Sequence, residues 1–162
     1  MEPICDKLRL AGCYIKYTKE GLILKAPEKI KAIDLVKTHP HPGFPTDMQA
    51  QLMTLMTLSD GVSVFYETIF ENRFMHCAEL IRMGANIKHI TENICMVKGV
   101  EKLHSASGKS PDLRGGASLV LASLVAEGKT EISDIYHIER GYENFENILR
   151  NLGADIVKLK DK

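Results

Sequence analysis

The chain has 162 residues, of which 44% are hydrophobic and 26% are charged. This balance is typical of a folded globular protein and excludes a disordered or collagen-like chain. The 21 basic and 21 acidic side chains cancel, so net charge does not indicate a nucleic-acid or membrane partner. No apolar run approaches the roughly 18 residues of a membrane helix, and no secretory leader is recognisable. We therefore expect a cytoplasmic protein that binds neither nucleic acid nor membrane.

The cysteines support the same compartment. Cys5, Cys13, Cys77 and Cys95 lie far apart and form no C-x-x-C pair. Spacing of this kind predicts free, partly buried thiols in a reducing environment.

The predicted elements follow one another as short helices and strands separated by glycine. A first helix ends at Gly12 and is followed by a hairpin of strands at 14–17 and 22–24. The remaining segments share the same alternation: strand 33–37, helix 47–60, strand 62–67, helix 74–83, hairpin strands 87–90 and 94–97, helix 112–127, strand 130–135, helix 141–152 and strand 156–159.

Several of these segments repeat. Gly84 follows Gly12 by 72 positions, and Asn93 follows Gly21 by the same interval. The first pair suits the left-handed position after a helix. The second pair falls at the same place in the two hairpins, and both residue types tolerate the positive φ of a hairpin turn.

The repeat predicts the fold class and its division into units. We expect an α/β fold of repeated βαβαββ units, with residues 33–99 forming one complete unit. Residues 1–32 would be the final helix and hairpin of a preceding unit, and residues 100–162 a last unit without its final strand. A fragment of a longer repeated chain explains these ends better than a small α/β protein with irregular ends.

The polar candidates lie at repeat-equivalent junctions. Asp47 and Arg114 occupy equivalent positions at the starts of two predicted helices, and Arg73 and Arg140 are equivalent to each other. Thr46 or Ser110 would suffice as helix caps, so capping does not explain Arg114. Planar guanidinium groups suit carboxylates and phosphates. We therefore predict a site for a small polyanion, with ordinary ion pairs as the alternative.

Other patterns are weaker. His39 and His41 alternate along a stretch predicted to be extended, but two histidines make an incomplete metal site. The chain has no glycine-rich phosphate loop and no G-x-S-x-G motif. We expect no metal site.

Four runs carry a family resemblance. They are HPGFPTDMQAQ at 41–51, ETIFENRFMH at 67–76, DLR at 112–114 with ASLVLA at 117–122, and IYHIERGY at 135–142. These runs resemble the UDP-N-acetylglucosamine 1-carboxyvinyltransferase family of enolpyruvyl transferases. The resemblance covers essentially the whole chain, which corresponds to the C-terminal portion, less than half, of a family member. It implies an inside-out α/β barrel with sheets outside and helices within.

The resemblance also implies a reaction. Family members transfer the enolpyruvyl group of phosphoenolpyruvate to the 3-hydroxyl of UDP-N-acetylglucosamine and release phosphate. This is the first committed step of peptidoglycan synthesis, and it uses no metal or organic cofactor. The reaction proceeds by addition and elimination through a tetrahedral ketal.

The resemblance assigns roles to particular residues. Asp47 would contact the attacking hydroxyl as the proposed general base, although a helix N-terminus also suits a carboxylate that only orients the hydroxyl. Ile69 would contact the nucleotide through its backbone. The remaining residues would surround phosphoenolpyruvate: Arg73, Arg114 and Arg140, with Glu71 and Asp112 as neighbours.

The chain also departs from the family pattern. The mobile-loop cysteine that protonates the enol methylene, and an N-terminal lysine, belong to the missing portion. Gly115 and Gly116 stand where small non-glycine residues are usual, and we expect them to loosen the helix start. The chain alone is therefore expected to be inactive without the missing N-terminal portion. The alternatives are a 5-enolpyruvylshikimate-3-phosphate synthase-like enzyme and a non-catalytic fragment that needs a partner chain.

Overall fold

The computed structural model describes residues 1–159, in which helices and strands alternate as expected. The helices are α1 (Glu2–Leu10), α2 (Gln49–Met56), α3 (His76–Arg82), α4 (Leu113–Ser123), α5 (Tyr136–Glu139) and α6 (Phe145–Asn151), with a 3₁₀ turn at Thr46–Met48 before α2. The strands are β1 (Tyr14–Tyr17), β2 (Leu22–Lys25), β3 (Leu35–Lys37), β4 (Val62–Tyr66), β5 (Asn86–Thr91), β6 (Ile94–Lys98), β7 (Ser107–Lys109) and β8 (Glu131–Ser133). Among the described residues, no helix has the length and apolar character that a membrane crossing requires.

The strands form three sheets. β1 and β2 make an antiparallel hairpin, and β7 pairs in parallel with β8. The largest sheet has the order β3-β4-β6-β5, in which β3 and β4 are parallel and β6 is antiparallel to both of its neighbours. The parallel pair is joined through α2, as a parallel connection requires. The mixed α/β class predicted from the sequence is confirmed, while the division into three units remains a prediction.

One face of the four-stranded sheet packs against the helices. In β4 the buried residues are Ser63 and Phe65, and in β6 they are Cys95 and Val97. This period of two is what a half-buried strand requires. Side chains from α2, α3 and α4 complete the core, and the largest fully buried ones include Met53, Met56, Leu80 and Leu119.

The α4 helix contacts α2, α3 and α5 through small residues. A Cβ on Gly115 would lie 2.9 Å from Pro111 Cγ and 3.1 Å from His76 Cβ. A Cβ on Gly116 would lie 2.7 Å from Ile138 Cγ1. Both glycines are buried and let neighbouring elements approach α4 closely, and the expected loosening of the helix start stays a prediction.

Turn geometry bears out part of the repeat argument. Gly12, Gly84 and Gly153 have φ values of 96°, 93° and 98°, as predicted for the position after a helix. Gly21 also has positive φ, but Asn93 does not. The carbonyl oxygen of Asn93 instead accepts a hydrogen bond from the N–H of Glu67 at 2.9 Å. The two hairpins therefore turn differently at this equivalent position.

The last third of the chain departs most from expectation. The predicted strand 130–135 ends at Ser133, and α5 follows where no helix was predicted. The predicted helix 141–152 begins only at Phe145, after Asn144 with a left-handed φ of 48°. The predicted strand 156–159 does not form. The carbonyl oxygen of Ile156 instead accepts a hydrogen bond from Arg150 Nη2 at 3.0 Å.

His76 lies fully buried at the start of α3, beside Gly115 of α4. Neither of its ring nitrogens has a hydrogen-bond partner of good geometry within residues 1–159. Burial lowers the pKa of His76 from 6.5 to about 4, against an opposing attraction from Asp112. The imidazole is therefore neutral near pH 7, and charging it would require desolvating a cation.

This burial predicts a pH-dependent stability. Because the unfolded chain binds more protons than the folded chain between about pH 6.5 and pH 4, the free energy of unfolding should fall as the pH falls through that window. His76 should account for about 2 kcal/mol of loss between pH 7 and pH 5. Urea denaturation at both pH values would measure it. The His76→Gln variant should lose this pH-dependent part of the unfolding free energy, and the variant of an exposed histidine, His104→Gln, should keep it. The prediction is contradicted if His76→Gln shows the same pH dependence as the unchanged chain.

Candidate active site

An open cleft of about 320 Å³ lies between the start of α4 and the loop that follows β4. Its lining contains residues from two predicted units, 33–99 and 100–162. The lining residues are Asp47, Phe70, Glu71, Asn72, Arg73, Met75, Asp112, Leu113, Arg114 and Arg140. Except for Ile69, every residue predicted from the sequence to belong to the site lies in this lining.

At the centre of the cleft, one carboxylate lies between two guanidinium groups. Asp47 Oδ2 accepts a hydrogen bond from Arg114 Nη2 at 2.8 Å, and Asp47 Oδ1 lies 3.5 Å from Arg73 Nη2. The side chain of Asp47 is 53% exposed, whereas those of Arg73 and Arg114 are 13% and 26% exposed. Asp47 and Arg114 lie 67 residues apart and are the pair that the sequence repeat predicts to be equivalent, so two predicted equivalent positions meet here.

Both arginines also contact residues other than Asp47. Arg73 Nε donates to Thr46 Oγ1 at 3.0 Å, and the guanidinium lies 4.6 Å from the ring centroid of Phe70. Arg114 Nη1 donates to the hydroxyl of Tyr142 at 3.1 Å. Partial burial lowers the pKa of Arg114, but its hydrogen bonds to Tyr142 and Asp47 outweigh burial and raise that pKa overall. Two cations are thus fixed in orientation before any ligand binds.

A buried carboxylate supports this arrangement. Glu67 is 2% exposed, and its oxygens accept four hydrogen bonds. The donors are the hydroxyls of Thr38 and Thr46, at 2.8 and 2.9 Å, and the backbone N–H groups of Ile69 and Phe70, at 2.8 and 3.1 Å. Because Thr46 also accepts from Arg73, Glu67 connects the end of β4 to the cleft through one intervening hydroxyl.

Asp112 has a structural task at the start of α4. Its Oδ1 accepts from the N–H groups of Arg114 and Gly115, both at 2.8 Å. Ser110 and Thr46, either of which would suffice as a cap, do not supply one. The hydroxyl of Ser110 donates to the backbone carbonyl of Asp112, and the hydroxyl of Thr46 donates to Glu67. The negative charge of Asp112 is therefore directed into the helix N-terminus.

The remaining candidates are placed differently. Arg140, at the end of α5, is exposed, and its guanidinium makes no hydrogen bond or ion pair with another of residues 1–159. Glu71 is also exposed at the rim. The N–H of Ile69 is occupied by Glu67, so its carbonyl oxygen is the backbone group that remains to face a ligand.

The two histidines near the cleft form no metal group. Residues 39–44 form a turn rather than the predicted extended stretch, with Gly43 N–H donating to Pro40 at 2.8 Å and His39 N–H donating to Phe44 at 2.9 Å. His39 and His41 are exposed. Neither belongs to a group of three potential ligands within the described part of the chain.

Several supporting residues were missed from the sequence. Thr46 was considered as a cap and Tyr142 as a helix residue, and both, like Glu67 and Phe70, otherwise stood only within the runs that carry the resemblance. Glu67 had a usable signal, since a carboxylate at the end of an apolar strand must find donors if it is buried. The contacts of Tyr142 with Arg114 and Gln51 join residues 28 and 91 positions apart, and no local pattern predicts them.

Comparisons with known proteins identify the family. A family model described as EPSP synthase (3-phosphoshikimate 1-carboxyvinyltransferase) matches residues 1–158. UDP-N-acetylglucosamine 1-carboxyvinyltransferase 1 of Caldanaerobacter subterraneus subsp. tengcongensis is 56% identical over 152 residues, which are 93% of this chain and 36% of that protein. The UDP-N-acetylglucosamine 1-carboxyvinyltransferase of Myxococcus xanthus is 52% identical over 160 residues, which are 99% of this chain and 38% of that protein. The chain thus spans little more than a third of these relatives.

Solved structures show the same fold. The enolpyruvyl transferase NikO from Streptomyces tendae superposes with a TM-score of 0.85 at 25% identity, over 95% of this chain and 35% of that one. EPSP synthase from Acinetobacter baumannii gives a TM-score of 0.66 at 20% identity, over 93% of this chain and 36% of that one. The names of the relatives confirm the resemblance carried by residues 41–51 and 67–76. Since the family model spans nearly every described residue, the chain belongs to the EPSP synthase (3-phosphoshikimate 1-carboxyvinyltransferase) family.

Proposed function

We propose that this chain forms one wall of the active site of an enzyme that transfers the enolpyruvyl group of phosphoenolpyruvate to the 3-hydroxyl of UDP-N-acetylglucosamine. The observation that carries the proposal is the Asp47 carboxylate held between Arg73 and Arg114 in a cleft that Arg140 also lines. The names of the relatives that are 49–56% identical support the choice of nucleotide sugar.

The arginines suit the charge changes of this reaction. Phosphoenolpyruvate carries a carboxylate and a phosphate, and the phosphate leaves as an anion when the tetrahedral ketal collapses. Guanidinium groups that are already oriented stabilise such charge without reorganising during the reaction. Arg140, whose guanidinium has no partner among residues 1–159, is free to take part in a bidentate contact.

Asp47 suits the hydroxyl of the acceptor. Each of its oxygens faces one arginine, which leaves further lone pairs on a carboxylate that is half exposed to the cleft. One of these can accept a hydrogen bond from the attacking hydroxyl and hold it towards phosphoenolpyruvate. The ion pairs make orientation of this hydroxyl the primary role of Asp47, with removal of its proton following as the new bond forms.

The nucleotide would lie towards the loop after β4. The carbonyl oxygen of Ile69 is positioned by the hydrogen bond from the Ile69 N–H to Glu67, so it can accept from a nucleobase N–H. The acid that protonates the enol methylene would come from the remainder of a longer enzyme, which this chain requires as its partner. Such an enzyme would act in the cytoplasm at the first committed step of peptidoglycan synthesis.

The family model leaves shikimate 3-phosphate as the alternative acceptor. Saturation binding of both acceptors to the complete enzyme distinguishes the two activities. We expect UDP-N-acetylglucosamine to bind and shikimate 3-phosphate not to bind; the reverse would overturn the proposed acceptor.

For Asp47→Asn in the complete enzyme, we expect turnover to fall by about 10²–10⁴-fold with a much smaller change in affinity for the nucleotide sugar, because the carboxylate acts on the reacting hydroxyl. A steady-state phosphate-release assay measures this. Asp60→Asn, which disrupts only an exposed ion pair with Lys29, is the matched control. Unchanged turnover in Asp47→Asn would remove Asp47 from the mechanism.

For Arg140→Lys in the complete enzyme, we expect weaker binding of phosphoenolpyruvate by about 1–3 kcal/mol, since lysine keeps the charge but loses the planar fork. Calorimetric titration measures the change. Arg82→Lys alters an exposed arginine that pairs with Glu79 and should leave affinity unaltered. Normal binding by the Arg140 variant would make this arginine a surface residue only.

The isolated 162-residue chain should release no phosphate from phosphoenolpyruvate, with or without UDP-N-acetylglucosamine, because it supplies one wall of the site and no acid for the enol carbon. Circular dichroism establishes that the assayed chain is folded. Acceptor-dependent phosphate release by a preparation free of host enzyme would contradict this expectation.

A further inference from the structure

A second cluster of reactive side chains lies outside the cleft, between α3 and the four-stranded sheet. It consists of Cys77, His89 and Cys95, whose potential ligand atoms all lie within 4.8 Å of one another. Cys77 and Cys95 are fully buried, and His89 is exposed. Neither the polyanion site nor the proposed reaction uses these three residues.

The backbone brings the three residues together from distant parts of the chain. His89 on β5 and Cys95 on β6 are direct partners in the antiparallel register, so their side chains project from the same face of the sheet. The register shifts immediately after His89, as happens at a bulge, and bulges redirect neighbouring side chains. Cys77 reaches the same place from the first turn of α3.

The distance between Cys95 and His89 is close to that between two ligands of one metal ion, while the three ligand atoms together extend over as much as 4.8 Å. Cys95 Sγ lies 3.3 Å from His89 Nδ1, and Cys77 Sγ lies 3.5 Å from Met53 Sδ. With metal–sulfur and metal–nitrogen bonds of about 2.3 and 2.0 Å, a tetrahedral ion separates its ligand atoms by about 3.5–3.8 Å. Shifts of a few tenths of an ångström would therefore bring the nearest atoms to ligand spacing.

The donor types and their surroundings select the ion. Two cysteine sulfurs and one imidazole nitrogen are ligands of zinc-type ions, and they do not suit Mg²⁺ or Ca²⁺. The fourth position lies towards the Met53 thioether, which is also fully buried, or is open to water beside the exposed His89. A divalent ion balances the two thiolate charges in this apolar setting, whereas a monovalent ion would leave one negative charge uncompensated.

We propose that Cys77, His89 and Cys95 form a structural binding site for Zn²⁺ that fastens α3 to the β5–β6 hairpin. Binding forms two metal–sulfur bonds and one metal–nitrogen bond and releases the two thiol protons to solvent. The exposed imidazole gives the ion its route into the site. Since α3 follows directly after the loop that carries Arg73, the ion would also stabilise one side of the cleft without touching a substrate.

Titration of the metal-free, fully reduced 162-residue chain with Co²⁺ tests the proposal. A thiolate ligand gives cobalt a near-ultraviolet charge-transfer absorbance that histidine or carboxylate ligation does not give. We expect this absorbance to saturate at one Co²⁺ per chain and to disappear when Zn²⁺ is added. Zn²⁺ should also raise the thermal unfolding midpoint, because it binds the folded state.

The variants separate this site from adventitious binding. Cys77→Ser and Cys95→Ser should each weaken or abolish the charge-transfer absorbance, whereas Cys13→Ser, which alters a thiol outside the cluster, should leave it unchanged. Because either buried substitution can unfold the chain, the exposed His89→Gln is the decisive variant. It should fold, and its affinity for Zn²⁺ should fall by more than the roughly 10–100-fold that loss of an outer-shell partner costs.

Three results would overturn the proposal. The first is the absence of thiolate absorbance at one equivalent of metal in a chain shown to be reduced. The second is Zn²⁺ binding of equal strength in the chain and in His89→Gln. The third is an undiminished charge-transfer absorbance in both Cys77→Ser and Cys95→Ser, which would place the thiolate ligands elsewhere.

Discussion

The Glu67 carboxylate is the constraint on which the cleft depends. A buried carboxylate without donors would be strongly destabilising, so the surrounding backbone and hydroxyl groups must converge on it. They come from the end of β3, from the turn before α2 and from the loop after β4. Meeting this one requirement fixes three segments relative to one another, and Arg73 is oriented because it donates to a hydroxyl that is already held.

The repeat adds a second level of organisation. Positions 47 and 114 are equivalent in sequence yet differ in charge, and the fold brings them to 2.8 Å. The 3₁₀ turn before α2 and the first turn of α4, which the predicted repeat makes equivalent, therefore place unlike groups opposite each other at one junction. The close approach of α4 at Gly115 and Gly116 brings this junction near the buried start of α3. Packing of small residues in the core thus sets the spacing of the charged groups at the surface.

Much of the fold was predictable from sequence, because glycines after helices and alternating strands are local signals. The α/β class, the first hairpin and the sequence of helices and strands along the chain from β3 to β6 follow from them. The same signals failed at two positions where another nearby group takes the hydrogen bond. Ile156 accepts a hydrogen bond from Arg150 and joins no strand, and Asp112 caps α4 in place of Ser110. Asp47 and the three cleft arginines were predicted from equivalent positions. Tyr142 was not, because its contacts with Arg114 and Gln51 have no local pattern.

The three arginines also differ in how much conformational freedom they retain. Arg73 and Arg114 are mostly shielded and held by oxygen and aromatic contacts, so an incoming anion would immobilise them very little. Arg140 is exposed and would surrender side-chain rotamer entropy, which for an arginine amounts to about 2 kcal/mol when it is fully fixed. The cleft therefore combines a rigid recognition surface with one adaptable side chain, and that side chain can follow an anion that changes its position in the cleft.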